Sequence, residues 1–517
     1  MSVTLPVRIA EAGTTVGPDG GTLALAQDQL QVEVPAGALD GRVMAMAEPV
    51  SVEESGVEEG VPGSGWRLAW ADASGPVELP GEVEVSVAFA PDELPAGVFP
   101  LALRLFSVEE AGGAAGSPAL LSGSGARLQG PDRVQGRLTG EEAAAGFVLA
   151  GLRPEPAFQV TAGAESVCSR GDDGQLWCWG KGESGALGDP DQEGSARPVP
   201  LPVEVRSTHL ASGGGGGCTI REEGGVVCWG RAVPGAGPGG SGPTDVGDVP
   251  GARSLSVGQD HACAVGDGGS VWCWGSNDRG QLGSPGDAPD GPVEVELEAA
   301  SIVEVAAGSG TTLAVTDDGR LLAWGQAVGA DSSTGPATVT IRNEPPVAKS
   351  ATGGGSACAL DDEGSLWCWG RAEAGQLGAS PDAGADGPVR PEEAVQVAFP
   401  DGTGPMTDVA MAPGGQTTCA VEDSGTLWCW GRNDTGQVGV TTDGRCRERG
   451  DEIHCQVTPV SLAGLPPVTS VALGNGHACA VSADNELWCW GSNTRGQMGT
   501  GEADDSVMGP VRAGTGR

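Results

Sequence analysis

The sequence predicts an all-β protein whose larger part is a seven-bladed β-propeller. Three observations predict it. A Trp-Gly step recurs seven times at intervals of 45 to 61 residues, each unit contains four short strand-like segments, and the composition is rich in turn residues, with 90 Gly and 38 Pro. Four strands per unit in seven units of about 50 residues are typical of a propeller. The step lies at Trp179, Trp229, Trp274, Trp324, Trp369, Trp430 and Trp490.

Each unit has the same internal order of segments. A short β-rich segment such as "SLSVG" comes first, followed by a strand such as "HACAV", a tight polar turn and the strand "LWCWG". A loop that ends near "GQLG" then leads to a Pro-Val segment such as "GPVEVELEAA". The alternative is a linear β-solenoid, but solenoid rungs are usually shorter and more uniform. We therefore expect a closed propeller.

The units resemble regulator of chromosome condensation repeats, and the resemblance covers about residues 157–517. It implies a ring that closes by pairing an N-terminal strand with the last blade, here 157–163 ("AFQVTAG") with 509–514 ("GPVRAG"). Two units carry most of the family pattern. In one it lies at Gly258, His261, Gly269, Val271, Trp274, Gly275, Asn277, Gly280, Gln281, Leu282 and Gly283, and in the other at Gly474, His477, Leu487, Trp490, Gly491, Asn493, Gly496, Gln497 and Gly499.

The repeated "LWCWG" strand predicts burial on both of its faces. Alternate side chains of a strand point to opposite sides, so Trp428 and Trp430 share one face while Leu427 and Cys429 share the other. Blades pack on both faces, and both sets should be buried. The Gly after each second Trp is expected to let the backbone turn out of the strand. The Gln of "GQLG" is expected to satisfy backbone groups of its loop.

The fourteen cysteines predict seven disulfides. When a hairpin is folded about the residue midway between two cysteines ten positions apart, they lie directly opposite each other, close to disulfide range. In the fourth unit both positions change together, to Leu313 and Ala323, as a direct bond predicts. Cys446 and Cys455 are expected to clasp a long insertion. The six pairs with a spacing of ten are Cys168 and Cys178, Cys218 and Cys228, Cys263 and Cys273, Cys358 and Cys368, Cys419 and Cys429, and Cys479 and Cys489.

Two alternatives to disulfides are a zinc site and reduced thiols. Structural zinc sites usually join two knuckles, and one cysteine pair across a hairpin supplies only two ligands. Reduced thiols can pack as apolar groups in a cytoplasmic protein, but the paired loss at Leu313 and Ala323 weighs against this. Disulfides predict an oxidising, extracytoplasmic location: periplasmic, cell surface or secreted. No signal peptide is visible in "MSVTLPVRIAEAG".

Residues 1–152 lack the repeat and are assigned to a separate domain, with the propeller assigned to 153–517. The domain resembles the ZU-type module of ankyrins and netrin receptors, which implies a β-sandwich. The expectation is two strands within 17–41, an alternating strand in "EVEVSVAFAP", and a loop-rich Gly/Ala/Ser stretch at 108–145. Some relatives cleave themselves at a Phe-Ser bond, but Phe106-Ser107 has no histidine before His209 to activate it. The matching residues are Gly20, Gly21, Val34, Pro35, Gly37, Ala38 and Leu39.

Charge and motifs exclude several functions. A formal net charge of −41 argues against binding of nucleic acids and anionic membranes, and no apolar stretch is long enough to span a membrane. No nucleophile elbow, zinc-protease motif or phosphate-binding glycine loop is present. No EF-hand spacing occurs either. We therefore expect no enzyme activity, no metal and no cofactor.

Two functional hypotheses follow. The first is a monomeric extracytoplasmic binding scaffold whose propeller loops recognise a protein or glycan. The second, which the family resemblance implies, is an exchange factor for a small GTPase; that role involves a nuclear setting and a basic arm, and this chain shows neither. For the scaffold, the candidate binding residues lie in the clasped insertion: Arg447, Glu448, Arg449, Asp451 and His454.

Overall fold

The protein was analysed as a computed structural model, in which the chain divides into two compact units, Met1–Arg153 and Pro154–Gly516. The structure describes eleven strands between Thr14 and Gly151 and most of residues 157–513. Within 157–513, the residues outside the description are 172–173, 202–206, 223, 233–239, 287–290, 298–300, 327–332, 343–344, 380–388 and 449–450.

The strands of the first unit form two antiparallel sheets. They are β1 (Thr14–Val16), β2 (Gly21–Leu25), β3 (Leu30–Val34), β4 (Val43–Pro49), β5 (Trp66–Asp72), β6 (Gly75–Pro76), β7 (Glu82–Ala88), β8 (Leu103–Ser107), β9 (Arg127–Leu128), β10 (Arg133–Thr139) and β11 (Phe147–Gly151). One sheet has the order β1-β4-β5-β11-β8, with β6 paired to β5, and the other has the order β2-β3-β7-β10-β9.

Parts of the first unit follow the sequence expectation and one part does not. The two strands expected near the Gly-Gly motif are β2 and β3, which pair from Gly21↔Val34 to Leu25↔Leu30. The expected alternating strand is β7. The 108–145 stretch is not loop throughout, because it contains β9 and β10, and β10 pairs with β7 along seven residues. The motif residues Gly20, Pro35, Gly37, Ala38 and Leu39 lie outside the described residues.

The second unit is a ring of seven antiparallel sheets, as the repeat predicts. Blade 1 comprises β12 (Ala157–Ala162), β13 (Ser166–Gly171), β14 (Leu176–Lys181) and β15 (Gly194–Pro200). Blade 2 comprises β16 (Ser207–Gly213), β17 (Gly216–Arg221), β18 (Val226–Gly230) and β19 (Thr244–Asp245). Blade 3 comprises β20 (Ser254–Val257), β21 (His261–Val265), β22 (Val271–Gly275) and β23 (Val293–Glu294).

The remaining blades repeat this plan. Blade 4 comprises β24 (Ile302–Ala307), β25 (Thr311–Thr316), β26 (Leu321–Gly325) and β27 (Ser333–Val339), and blade 5 comprises β28 (Val347–Thr352), β29 (Ser356–Asp361), β30 (Leu366–Gly370) and β31 (Val395–Gln396). Blade 6 has five strands, β32 (Met406–Met411), β33 (Thr417–Glu422), β34 (Leu427–Arg432), β35 (Arg445–Glu448) and β36 (Asp451–Ser461). Blade 7 comprises β37 (Val468–Leu473), β38 (His477–Ser482), β39 (Leu487–Gly491) and β40 (Val507–Arg512). Short 3₁₀ helices lie at Glu183–Gly185, Asp267–Gly269 and Pro391–Glu393.

The first strand of every blade is innermost, and the seven inner strands line a central channel of about 340 Å³. Consecutive strands of a blade are antiparallel, so its connections alternate between the two sides of the ring. We call the side with the first-to-second turns and third-to-fourth loops the loop face. The opposite side, with the second-to-third turns and the links between blades, is the turn face.

The predicted strand exchange at ring closure is wrong. β12 pairs with β13 inside blade 1, and β40 pairs with β39 inside blade 7, so each blade is made from consecutive strands. Closure relies instead on contacts between complete blades. The amide of Asn475 donates to the oxygen of Ala164 at 3.0 Å, and the amide of Gly501 donates to the oxygen of Ala196 at 2.8 Å.

The cysteines are bonded as their spacing predicts. Cys419 lies directly opposite Cys429 in the β33–β34 ladder, and the same holds for the other five pairs with this spacing. Their Cα atoms are 4.0–4.1 Å apart, and each joins the two middle strands of a blade. In blade 4 the same register holds Leu313 opposite Ala323. All fourteen cysteines are in disulfides.

The Trp of each Trp-Gly step lies at the seam between neighbouring blades. These indoles are buried, and in six seams Nε1 donates to a backbone oxygen in the third-to-fourth loop of the preceding blade. The bonds, at 2.8–3.2 Å, are Trp179 to Gln497, Trp229 to Ala186, Trp274 to Ala232, Trp324 to Gln281, Trp430 to Gln376 and Trp490 to Gln437. The Trp179 bond joins blade 1 to blade 7 and so closes the ring.

The "GQLG" loop is shaped to receive that indole. The side-chain oxygen of Gln437 accepts the backbone amide of Thr435 at 3.0 Å, and Asn433 accepts the amide of Val438 at 3.0 Å. Gln281, Gln376 and Gln497 make the equivalent bond, so the Gln satisfies its loop as expected. Gly439 has φ +85°, and a Cβ there would lie 3.0 Å from Nε1 of Trp490. The Gly after each second Trp also has positive φ, as expected of a turn out of the strand.

We predict that Trp179→Phe and Trp490→Phe have equal effects on stability. Each variant leaves a buried carbonyl without its donor, which costs about 1–3 kcal/mol in the free energy of unfolding, besides the loss of ring volume. Trp490 lies at an ordinary seam and is the matched control for the closing seam. Urea unfolding followed by circular dichroism measures both. A much larger loss for Trp179→Phe would contradict a closing seam that is equivalent to the ordinary ones.

Candidate interaction surface

The insertion in the sixth unit is a two-stranded hairpin at the outer edge of blade 6. β35 pairs with the first part of β36 from Arg445↔His454 to Glu448↔Asp451, and the later part of β36 pairs with β34. The disulfide Cys446–Cys455 joins the two strands, with Cα atoms 5.8 Å apart. The insertion is therefore a clasped ribbon continuous with the blade, as the cysteine spacing predicts.

One face of this hairpin is buried and the other is exposed. Cys446, Ile453 and Cys455 pack against Ala374, which belongs to the third-to-fourth loop of blade 5. Because side chains alternate along a strand, the opposite face carries the exposed side chains of Arg445, Arg447, Glu452 and His454. Packing on blade 5 thus fixes the hairpin and leaves one charged face open to solvent.

Glu448 ties the hairpin to the loop face of blade 6. Its carboxylate accepts a hydrogen bond from Nε2 of Gln416 and forms an ion pair with Nη1 of Arg432 at 3.0 Å. The Arg432 guanidinium also donates to Oε1 of Gln416 at 2.7 Å and to Oδ2 of Asp434 at 2.6 Å. Asp434 in turn accepts the backbone amide of His454 at 2.8 Å. This network holds the base of the hairpin in one orientation.

The structure separates the five predicted binding residues into different roles. Glu448 is largely buried in the network, whereas Arg447, Asp451 and His454 are exposed. Arg449 lies outside the described residues. Their assignment to binding stays a prediction.

Sequence analysis missed two groups of neighbouring residues. Arg445 and Glu452 share the exposed face and form an ion pair at 3.2 Å. The two-residue period of a strand over "RCRE" and "DEIHC" would have predicted that they share a face. Arg432, Gln416 and Asp434 come from other parts of blade 6, and no local pattern links them to the insertion.

A cleft of about 380 Å³ lies on the loop face between blades 6 and 7. Gln416, Arg432 and Asp434 form one wall, and Asn475 and Gly476 of the first turn of blade 7 form another. Oδ1 of Asn475 accepts the amide of Gly414 at 3.0 Å across the seam. Since Glu448 bonds to two residues of the first wall, the end of β35 lies at the edge of this cleft.

A belt of polar side chains occupies one equivalent position of the seven inner strands. In six blades the β-ladder shifts register just before the third position of the inner strand, and such bulges re-aim side chains. Glu304 accepts bonds from the amide and hydroxyl of Ser350 at 2.9 and 3.0 Å, and Lys349 pairs with Asp408 at 3.1 Å. The first contact joins blade 4 to blade 5, and the second joins blade 5 to blade 6. The belt positions are Gln159, His209, Ser254, Glu304, Lys349, Asp408 and Ser470.

The buried histidines are structural. Burial lowers the pKa of His261 and of His477 to about 4, so both are neutral at pH 7. His261 bridges two blades through a bond between its Nε2 and the Thr312 hydroxyl at 2.9 Å. Within the described part of the chain, no group of three or more His, Cys, Asp or Glu side chains is arranged to hold a metal ion. Among these residues there is also no helix with the length and apolarity of a membrane span.

These features define a class of protein: a closed seven-bladed propeller with disulfide-bonded blades and an elaborated loop face. The family model for the RCC1-like domain matches residues 241–515, and the model for the regulator of chromosome condensation (RCC1) repeat matches residues 173–220. The chain belongs to the RCC1-like family.

Known relatives share the propeller region. The ultraviolet-B receptor UVR8 of Arabidopsis thaliana is 30% identical over 378 residues, which cover 68% of this chain and 80% of the receptor. The E3 ubiquitin-protein ligase HERC2 of Homo sapiens is 28% identical over 371 residues, only 6% of its length. Among solved structures, yeast RCC1 (Prp20) bound to Kap60 has a TM-score of 0.57 at 23% identity, covering 65% of this chain and 83% of that one. Human WBSCR16 has a TM-score of 0.56 at 20% identity, covering 66% and 93%.

We predict a pH-dependent stability that comes from Glu304. Burial raises the pKa of its carboxyl from 4.5 to about 7, against the opposing effects of Ser350 and Lys349. The folded protein therefore keeps a proton that the unfolded chain releases between pH 4.5 and 7, so this residue lowers stability as the pH rises through that window. Relative to Glu304→Gln, the wild type should lose roughly 1–3 kcal/mol between pH 5 and pH 7.

Urea unfolding of both proteins at the two pH values tests this, with Glu392→Gln as a control because Glu392 is an exposed carboxylate. The control should follow the wild type. The assignment fails if the wild type and Glu304→Gln have the same pH dependence.

Proposed function

We propose that this protein is a non-enzymatic interaction scaffold that works outside the cytoplasm and binds a protein partner through the loop face of its propeller. The observation that carries the proposal is the pairing of all fourteen cysteines in seven disulfides. Disulfides persist in oxidising compartments and are rare in the cytosol. A periplasmic, cell-surface or secreted location follows from them.

The loop face supports binding because it combines a rigid base with variable additions. Seams and disulfides fix the blades, and one addition is the clasped hairpin β35–β36 beside a cleft. Binding residues are often carried on loops that a rigid scaffold positions. Yeast Prp20 has been solved bound to Kap60, and its binding properties to Gsp1p and histones are described, which favours a protein over a glycan as the partner.

For the first unit we propose a ZU-like β-sandwich over residues 1–152. Its support is the agreement of β2, β3 and β7 with the strands expected from the motif, together with the two antiparallel sheets. The propeller is assigned to the remaining residues, 153–517.

Exchange of nucleotide on a small GTPase is the second candidate. It is favoured by membership of the RCC1-like family alone. The cysteine pairing argues against it, because cytosolic and nuclear proteins rarely carry disulfides. We therefore rank it below the scaffold.

Site-specific photo-crosslinking tests the scaffold. A photoreactive amino acid replaces Asp451 on the loop face or, as a matched control, Asp484 in the exposed second-to-third turn of blade 7 on the turn face. In intact cells, position 451 should yield a discrete crosslinked protein outside the cytoplasm, and position 484 should not. Crosslinking from 484 alone, or a product confined to the cytoplasm, contradicts the proposal.

A further inference from the structure

The hairpin leaves one strand edge of blade 6 open. The sheet has the order β32-β33-β34-β36-β35, so β35 is its outermost strand. The amide of Cys455 donates to the oxygen of Gly444 at 3.2 Å, and hydrogen-bonded pairs alternate with unbonded pairs along an antiparallel ladder. Arg445 and Arg447 are therefore in unbonded pairs, and their backbone N–H and C=O groups point away from β36.

Nothing in the described part of the chain covers that edge. No described residue hydrogen-bonds to the outward backbone groups of Arg445 or Arg447. Such a row of free donors and acceptors is able to pair with another extended chain. The edge is also rigid before binding, because the Cys446–Cys455 bridge and the packing against Ala374 hold it.

The same two residues give the edge its charge. Lys and Arg number 28 in the chain against 69 Asp and Glu, yet β35 carries two arginines in four residues. Glu448 is engaged by Arg432, and Glu452 by Arg445. Arg447 is exposed and has no ion pair among the described residues, whereas Asp451 adds one negative charge at the turn. The open edge therefore presents one guanidinium without an ion pair, that of Arg447, beside Arg445, whose charge Glu452 offsets.

We propose that β35 binds an acidic, extended polypeptide segment of the partner as a further strand of blade 6. This inference rests on the proposed function and names the chemistry of its partner. Main-chain groups of the segment pair with those of Arg445 and Arg447, and a carboxylate of the segment pairs with the guanidinium of Arg447. A polypeptide fits better than a polyanionic glycan, because only a polypeptide supplies the alternating amides and carbonyls that the edge needs.

The test uses the full-length oxidised protein and a synthetic peptide of alternating Glu and Val with blocked ends. Fluorescence anisotropy compares this peptide with a Gln-for-Glu version and with a version N-methylated at alternate amides. Both changes should weaken binding by about tenfold or more, because one removes the ion pair and the other the main-chain donors. Arg447→Glu should weaken binding similarly. Arg371→Glu, which alters another exposed loop-face arginine, should leave it unchanged.

Any of the following results overturns the inference. The N-methylated peptide binds as tightly as its parent, or Arg371→Glu weakens binding as much as Arg447→Glu, or a sulfated oligosaccharide binds through Arg447 while the peptide does not. Self-association that Arg447→Glu abolishes also overturns it, since the occupant is then a second copy. If position 451 crosslinks to a partner but the peptide does not bind, the scaffold function is supported and only the proposed strand addition at β35 is wrong.

Discussion

Each blade depends on the register of its central hairpin. In the hairpin of the two middle strands, the central pair of facing residues is ten positions apart in sequence. This pair is Cys419 and Cys429 in blade 6 and Leu313 and Ala323 in blade 4. That register places a disulfide or an apolar pair at the blade centre and an indole on its packing face. It also aims the indole N–H at the preceding blade. The seam, and through seven seams the ring, follows from this one alignment.

The same alignment explains why the loop face is ordered although the chain is rich in turns. In four seams a buried Trp meets a loop whose Gln satisfies a backbone amide of that loop, as at Trp490 and Gln437. The loops are therefore part of the core at their base and free to vary beyond it. In blade 6 this freedom produced the hairpin β35–β36, fixed by its own disulfide and by Glu448. Surface chemistry can change there without cost to the ring.

Local pattern was enough to predict the repeat, the blade number, the cysteine pairs and the role of the Gln and Gly positions, because each depends on neighbours within one hairpin or loop. It failed where the answer depended on contacts between distant units. Ring closure is one case, since complete blades at 157–200 and 468–512 meet without exchanging a strand. The contacts of Glu304 with Ser350 and of Lys349 with Asp408 are another case, because the packing of neighbouring blades brings those residues together. The burial of Glu448 likewise depends on Arg432, sixteen residues away.

The measurement that most directly tests this account is a thiol count on the native protein. The protein is taken from its own cells without reductant, trapped at once with an alkylating agent under denaturing conditions, and analysed by mass spectrometry with peptide mapping. The account predicts no alkylated cysteine and linked peptides that join residues ten positions apart in six blades, plus Cys446 with Cys455. Fully alkylated cysteines, or linkage between different blades, would contradict both the hairpin register and the extracytoplasmic scaffold.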